Sequence, residues 1–74
     1  MAHIVNVAEI GALVGDPARA NMLEALLDRR ALTAKELALR AGVAPQTASG
    51  HLAKLIGAGL IVMERHGRHH YHRL

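Results

Sequence analysis

The fold is decided by residues 33–59, which read TAKELALRAGVAPQTASGHLAKLIGAG. Thr33 and Glu36 have the spacing of a capping box, in which each side chain accepts a hydrogen bond from the other residue's backbone amide, so a helix should begin here. Gly42 predicts the end of that helix, because a left-handed residue commonly terminates one. Pro45 suits the first turn of a second helix, and Gly59 suits its end. The stretch therefore predicts two short helices, over residues 33–41 and 45–58.

A sharp turn between two short helices is typical of a helix-turn-helix motif, whose second helix enters the major groove of DNA. Ala38 is small where the helices must approach each other, Gly42 permits the turn, and Val43 can fill the gap between them. The outward positions of the second helix are Gln46, Thr47, Ser49, Gly50 and Lys54. Gln can pair with adenine edges, and Thr or Ser can reach bases or phosphates. These residues predict a surface that binds double-stranded DNA.

Two further helices are predicted before this stretch, over residues 5–14 and 16–29. The first has apolar residues at near-helical spacing, namely Ile4, Val7, Ile10, Gly11 and Val14. The second begins at Asp16-Pro17, a strong start signal because Asp caps free amides and Pro is favoured in the first turn. Its predicted inward stripe is Ala18, Met22, Leu23, Leu26 and Leu27.

After Gly59 the pattern changes from helical to strand-like. Residues 60–65 are rich in β-branched and apolar side chains, and residues 68–74 are expected to return as a second strand, with His66-Gly67 at or near the tip. Arg65, Arg68 and His69 make this hairpin basic, so it is expected to contact the DNA backbone or an adjacent minor groove. The predicted fold is α+β and mainly α, a single winged helix-turn-helix domain over residues 1–74, with four helices followed by a two-stranded hairpin wing.

Composition agrees with a polyanion-binding domain. Six of the nine Lys and Arg residues and five of the six His residues lie within residues 33–74 of a chain whose net charge is +3. The chain has no cysteine, which excludes disulfides and thiolate metal sites, and no apolar stretch approaches the roughly 18 residues of a membrane span. Asp16, Glu36 and His51 form no catalytic arrangement. We predict a cytoplasmic protein that is not an enzyme and needs no cofactor or metal.

Several residues admit a second interpretation. His51 can contact DNA or pack at the edge of the core, while Lys35 and Lys54 suit phosphate contacts or plain surface. Gln46, Thr47 and Ser49 could be an ordinary solvated face. The histidines of the hairpin do not converge on one face of a strand, so a metal site is not favoured. The alternative function is a winged-helix module that binds protein instead of DNA, although such modules tend to lack a polar outer face and a basic hairpin.

The chain also resembles the ArsR-type winged helix family of bacterial repressors. The segments that carry the resemblance are GDPAR at 15–19, LTAKELA at 32–38, TASGHLAKL at 47–55, AGL at 58–60 and GRHHYHRL at 67–74. The resemblance implies a homodimer that binds a palindromic operator and releases it when an inducer arrives. It also places a histidine of the DNA-binding motif at His51.

Three departures from that family pattern affect the expectations. Metal-sensing members carry a Cys-x-Cys pair on the third helix, where this chain has Thr33 and Lys35, which are not soft-metal ligands. Gly50 stands where a polar or His side chain is common, which removes one possible base contact. The sequence ends at the last wing strand, where the family usually continues, so we expect the DNA-binding part of a longer regulator.

Overall fold

The computed structural model describes residues 7–74 and contains four helices and three short strands over that range. In chain order they are α1 (Val7–Gly15), α2 (Pro17–Asp28), β1 (Leu32–Thr33), α3 (Ala34–Ala41), α4 (Pro45–Gly57), β2 (Val62–His66) and β3 (His69–Arg73). The predicted four helices and hairpin wing are confirmed. The predicted start of the first helix at residue 5, and Ile4 of its apolar stripe, lie outside the described residues.

Local signals in the sequence set the helix boundaries. Asp16 Oδ1 accepts hydrogen bonds from the backbone amides of Ala18 at 2.9 Å and Arg19 at 3.2 Å, which begins α2. The capping box at Thr33 and Glu36 is present at the start of α3. Helix α4 ends because Gly59 adopts a φ of 77° and the amide of Leu60 donates to Leu55 O at 3.0 Å.

The core is apolar and lies between α2, α3, α4 and the sheet. Its buried members are Met22, Ala25, Leu26, Leu32, Leu37, Ala38, Ala48, Leu52, Leu55 and Ile61. The predicted inward stripe of α2 was wrong at Leu27, which is 74% exposed, whereas Ala25 is buried. The helix turns by about 100° per residue, so burial of Met22, Ala25 and Leu26 turns the next residue, Leu27, toward solvent.

The sheet has one strand more than predicted. Its order is β1-β3-β2, all antiparallel, with Leu32 opposite His72 and Thr33 opposite Tyr71. Strand β1 has only two residues, too few to show an alternating pattern, and Thr33 also serves as the helix cap. The hairpin tip is Gly67-Arg68, because His66 pairs with His69. Gly67 has a φ of 62°, as the first position of a type II′ turn requires.

Candidate nucleic-acid interface

The turn between α3 and α4 sets the angle at which α4 leaves the core. Gly42 has a φ of 67°, its amide donates to Leu39 O at 3.2 Å, and the amide of Val43 donates to Ala38 O at 3.1 Å. These two bonds satisfy carbonyls that the helix end would leave unpaired. Ala38 and Ala48 are both buried, and their small side chains let α3 and α4 approach closely. The predicted helix-turn-helix is therefore present.

Helix α4 has one buried side and one exposed polar side. Ala48, Leu52 and Leu55 face the core. The exposed predicted contact residues on this helix are Gln46, Thr47, Ser49, Gly50 and Lys54. Within residues 7–74, no hydrogen bond or ion pair engages the side chains of Gln46, Thr47 or Ser49. Their donors and acceptors are thus available to a ligand, and as contacts to DNA they stay a prediction.

The first turn of α4 also offers backbone donors. Ala44 stands at the cap position and makes no side-chain hydrogen bond to the helix, and Pro45 follows it. The remaining amides of this turn have no side-chain acceptor, and an anion such as a phosphate can supply one. The end of α4 beside Gln46 and Thr47 therefore suits the DNA backbone.

His51 lies on the edge between the two sides of α4. Its side chain is 17% exposed, and its Nδ1 lies 3.0 Å from Arg19 Nη1, while its Nε2 lies 3.9 Å from Asp16 Oδ1. The hydrogen bond from the backbone amide of Arg19 is the largest cause that holds the pKa of Asp16 below its usual value, against the opposing effect of burial, and the amide of Ala18 and the charge of Arg19 lower it further. The packing interpretation of His51 is therefore observed, and its contact with DNA stays a prediction.

The wing has two chemically different faces. Residues directly opposite each other in an antiparallel pair share a face, and faces alternate along each strand. The register pairs Met63 with His72 and Arg65 with His70 on the inner face, toward α4. The outer-face pairs are Val62 with Arg73, Glu64 with Tyr71, and His66 with His69. Arg65 and His69 were both predicted to contact DNA from the hairpin, and the register places their side chains on opposite faces.

An open groove of about 280 Å³ separates α4 from the inner face of the wing. Its lining residues are Ala34, Ser49, Leu52, Ala53, Ile56, Met63, His70 and His72. Lys35 follows Ala34 at the exposed start of α3, and its contact with DNA stays a prediction. His70 was missed as a candidate by sequence reasoning, although its pairing with Arg65 across a two-residue turn could have identified it.

The arginines of the wing differ in their partners. On the outer face, Arg73 donates to the Glu64 carboxylate, and His66 Nε2 lies 3.4 Å from Glu64 Oε2. The hydrogen bond from Arg73 is the largest cause that holds the pKa of Glu64 below its usual value. Arg65 and Arg68 are exposed and pair with no carboxylate within residues 7–74. Their positive charge is thus available to an anion near the tip, whereas that of Arg73 is offset.

Other kinds of site find little support in the described chain. Between residues 7 and 74, no three His, Asp or Glu side chains come together in a way that could hold a metal ion. None of the helices in that range is long and apolar enough to cross a membrane.

Comparison with known proteins agrees with this geometry. A family profile described as a helix-turn-helix domain matches residues 14–64. The chain is 52% identical over 69 residues to an uncharacterized HTH-type transcriptional regulator, YdfF, from Bacillus subtilis (strain 168). That match covers 93% of this chain but only 30% of YdfF. The chain therefore spans less than a third of this relative's length.

Two solved structures resemble the chain in both fold and sequence. One is the homodimeric winged helix-turn-helix DNA-binding domain (fragment 1–100) of Mb0332 from Mycobacterium bovis, a possible ArsR-family regulator, with a TM-score of 0.81 and 26% identity. The alignment covers 100% of this chain and 75% of the Mb0332 chain. The other is the cadmium sensor CMTR from Mycobacterium tuberculosis, with a TM-score of 0.74 and 35% identity over 92% of this chain and 70% of its own.

Proposed function

Because this chain belongs to the helix-turn-helix family and is a DNA-binding regulator domain of the ArsR type, we propose that α4 reads duplex DNA in the major groove while the wing contacts the backbone. Gln46, Ser49 and Thr47 are the candidate base contacts. Lys54, Lys35, Arg65 and Arg68 are the candidate phosphate contacts, with His70 added from the geometry. Gly50 lets the helix backbone approach the base edges closely.

The observation that carries this proposal is that α4 and the inner face of the wing border the same groove. Ser49 and His70 line the same groove, and Arg65 is paired with His70 on the same face of the hairpin. A helix in the major groove thus leaves a hairpin with unpaired cationic side chains beside the neighbouring phosphates. His69 lies on the outer face with Tyr71, their ring centroids 6.1 Å apart, which suits a contact from the hairpin tip better than one from the groove.

We further propose that the chain is the DNA-binding part of a longer cytoplasmic repressor, which acts as a homodimer on a two-fold symmetric operator. Support comes from the partial coverage of YdfF and from the homodimeric state of the Mb0332 domain. Two recognition helices held one DNA turn apart read two half-sites, so protein symmetry would appear as a palindrome in the operator. Such a dimer would repress transcription while it is bound to the operator and would release the operator when an inducer arrives.

The test is a fluorescence-anisotropy titration of the chain with a short duplex of random sequence, repeated across salt concentrations. Binding at about micromolar affinity or weaker is expected, with a steep loss as salt rises. The Arg65→Ala, Arg68→Ala double variant should weaken binding to every duplex and reduce the slope of log affinity against log salt by about 2. Unchanged affinity would contradict the wing contacts.

The matched control is Arg40→Ala. It removes the same kind of charge from the groove between α2 and α3, where Glu24 and Asp28 also lie, and should leave the slope nearly unchanged. Gln46→Ala forms the second arm, on a duplex selected from a random library. There it should cost about 1–3 kcal/mol and much less on random DNA. Equal losses on both duplexes would place Gln46 on the backbone, and no duplex binding at all would favour a protein-binding module.

A further inference from the structure

One polar cluster connects three helices at a point where the core offers only apolar contacts. Arg19, on α2, donates from Nε to Leu13 O at 2.7 Å and from Nη2 to Ala12 O at 3.4 Å. These carbonyls belong to the last turns of α1. The same guanidinium places Nη1 3.0 Å from His51 Nδ1 on α4. A single side chain thus joins the end of α1 to the helix that carries the candidate base contacts.

The chemistry of the cluster fixes the hydrogen positions on His51. An arginine guanidinium only donates hydrogen bonds, so its contact with Nδ1 requires that Nδ1 accept and carry no proton. In the neutral ring the hydrogen is then on Nε2, which lies 3.9 Å from Asp16 Oδ1. Asp16 in turn accepts from the amides of Ala18 and Arg19. The contacts therefore select one tautomer of His51 and one placement of Arg19.

This contact bears on the rotation of α4 about its own axis. The remaining contacts of α4 with the core are apolar, through Ala48, Leu52 and Leu55, and burial of apolar surface has no directional preference. The apolar stripe sets which side of α4 faces outward, and the directional Arg19–His51 hydrogen bond can fix the rotation of the helix within that range. Thr47 lies one turn before His51 on the same side of the helix, and a rotation at His51 would move Thr47 directly.

We propose that Arg19 and His51 are positioning residues for DNA recognition, which fix the rotation of α4 through their mutual hydrogen bond without touching the bases. This proposal rests on the proposed function, because it assumes that α4 reads DNA. It predicts that loss of the contact weakens discrimination between sequences more than it weakens contact with the phosphates, since the phosphate-binding charges remain in place. It also predicts that Lys cannot replace Arg19, because a single ammonium cannot bind Leu13 O and His51 together as the planar guanidinium does.

The first measurement needs no DNA. Long-range proton–nitrogen NMR spectra of the 15N-labelled chain should show the neutral ring of His51 with an unprotonated Nδ1 and a protonated Nε2. Arg19→Met should abolish the single tautomer and shift the ring signals of His51. A wild-type ring with the proton on Nδ1, or unchanged ring signals in Arg19→Met, would overturn the proposal.

The second measurement is the ratio of affinities for a duplex selected from a random library and for a random duplex. His51→Ala should lower the affinity for the selected duplex by about tenfold, the effect of one lost charge-assisted hydrogen bond, and leave the random duplex nearly unaffected. His51→Asn places an amide oxygen near the position of Nδ1 and should restore most of the loss. His51→Gln places its amide near the position of Nε2 and should not.

The outcomes separate this proposal from the proposed function. Failure of the wild-type chain to bind either duplex would reject the proposed function, and this proposal with it. Normal wild-type binding with an unchanged ratio in His51→Ala would reject only the positioning role. An equal loss on both duplexes, with circular dichroism showing a folded variant, would instead make His51 a backbone contact. Arg19→Lys should behave like His51→Ala if both residues act through one contact.

Discussion

The two ends of the described chain invert the usual relation between hydropathy and burial. Helix α1 is mostly apolar, yet it has no buried residue, and Val7 is 86% exposed. Strand β3 reads His-His-Tyr-His-Arg, yet His72 is only 4% exposed. At these two ends, burial therefore follows the availability of a neighbouring element more than the hydropathy of the segment.

The neighbours of each segment explain the difference. Strand β3 is the middle strand of the sheet, with β1 on one side and β2 on the other, and its inner-face residue His72 is covered by the core. His72 can be buried there because its Nδ1 lies 3.4 Å from Leu32 O and is able to donate a hydrogen bond to it. Helix α1 lies at the edge of the domain, where Arg19 binds its last carbonyls. Its apolar side chains have no second layer above them within residues 7–74.

The largest expected effect of this contrast is on stability. His72→Ala should lower the free energy of unfolding by about 1–3 kcal/mol, because it leaves a cavity and removes the partner of a buried carbonyl. Ile10→Ala, on α1, should cost less than about 1 kcal/mol, because its side chain is already partly solvated. Urea denaturation followed by circular dichroism measures both.

The two variants remove side chains of similar size from opposite ends, so each is the control for the other. A larger loss in Ile10→Ala than in His72→Ala would reverse the comparison. It would mean that α1 contributes to the core more than its exposure indicates.

The sequence was informative wherever structure depends on local chemistry. Asp16 and the Thr33–Glu36 capping box predicted the starts of two helices, and Gly42 and Gly59 predicted two ends, because caps and left-handed turns act within a few residues. It was uninformative where burial depends on distant partners. Strand β1 exists only because β3 returns beside it, and nothing in two residues reveals that pairing.

The candidate site also contains some residues that local sequence predicts and others that depend on distant partners. The outward side of α4 follows from helical spacing, so its polar residues could be identified from the sequence. The faces of the wing depend on a register set by the two-residue Gly67-Arg68 turn, because a three-residue loop over 66–68 would pair Arg65 with His69 in place of His70. The Arg19–His51 contact joins residues that are 32 positions apart, and no local pattern predicts it.

An intermediate effect is expected from pH. Burial is the main cause that lowers the pKa of His72 below its usual value, against a smaller opposing effect of the hydrogen bond to Leu32. The unfolded chain therefore binds a proton at His72 more readily than the folded chain. Stability from this group is complete above about pH 6.5, the usual value for histidine, and is lost as the pH falls through the lower folded value.

Urea denaturation between about pH 7.5 and about pH 5.5 measures this slope. Hydrogen bonds hold the pKa values of Asp16, Glu36 and Glu64 below their usual values, so these carboxylates stay ionised throughout that range. His72→Asn, which keeps a donor for Leu32 O but does not titrate, should have a smaller slope. His70→Asn keeps the buried histidine and should retain the slope of the original chain. Equal slopes in the original chain and His72→Asn would contradict the assignment of this pH dependence to His72.

The smallest expected effect is self-association through α1. Ile10 and Val14 are 36% and 37% exposed, and with Val7 they form an apolar surface that suits a second copy of this helix. A helix of 9 residues offers less than the roughly 1,000 Å² that a stable interface buries. We therefore expect the 74-residue chain to be a monomer or a weak dimer in analytical ultracentrifugation over a concentration series. Val14→Ser should shift any association to higher concentration, whereas Leu39→Ser, which replaces a 76% exposed leucine on α3, should not. A tight dimer at low micromolar concentration would show that α1 suffices to hold two recognition helices together. The second copy of α1 would then be the partner that covers its exposed apolar face.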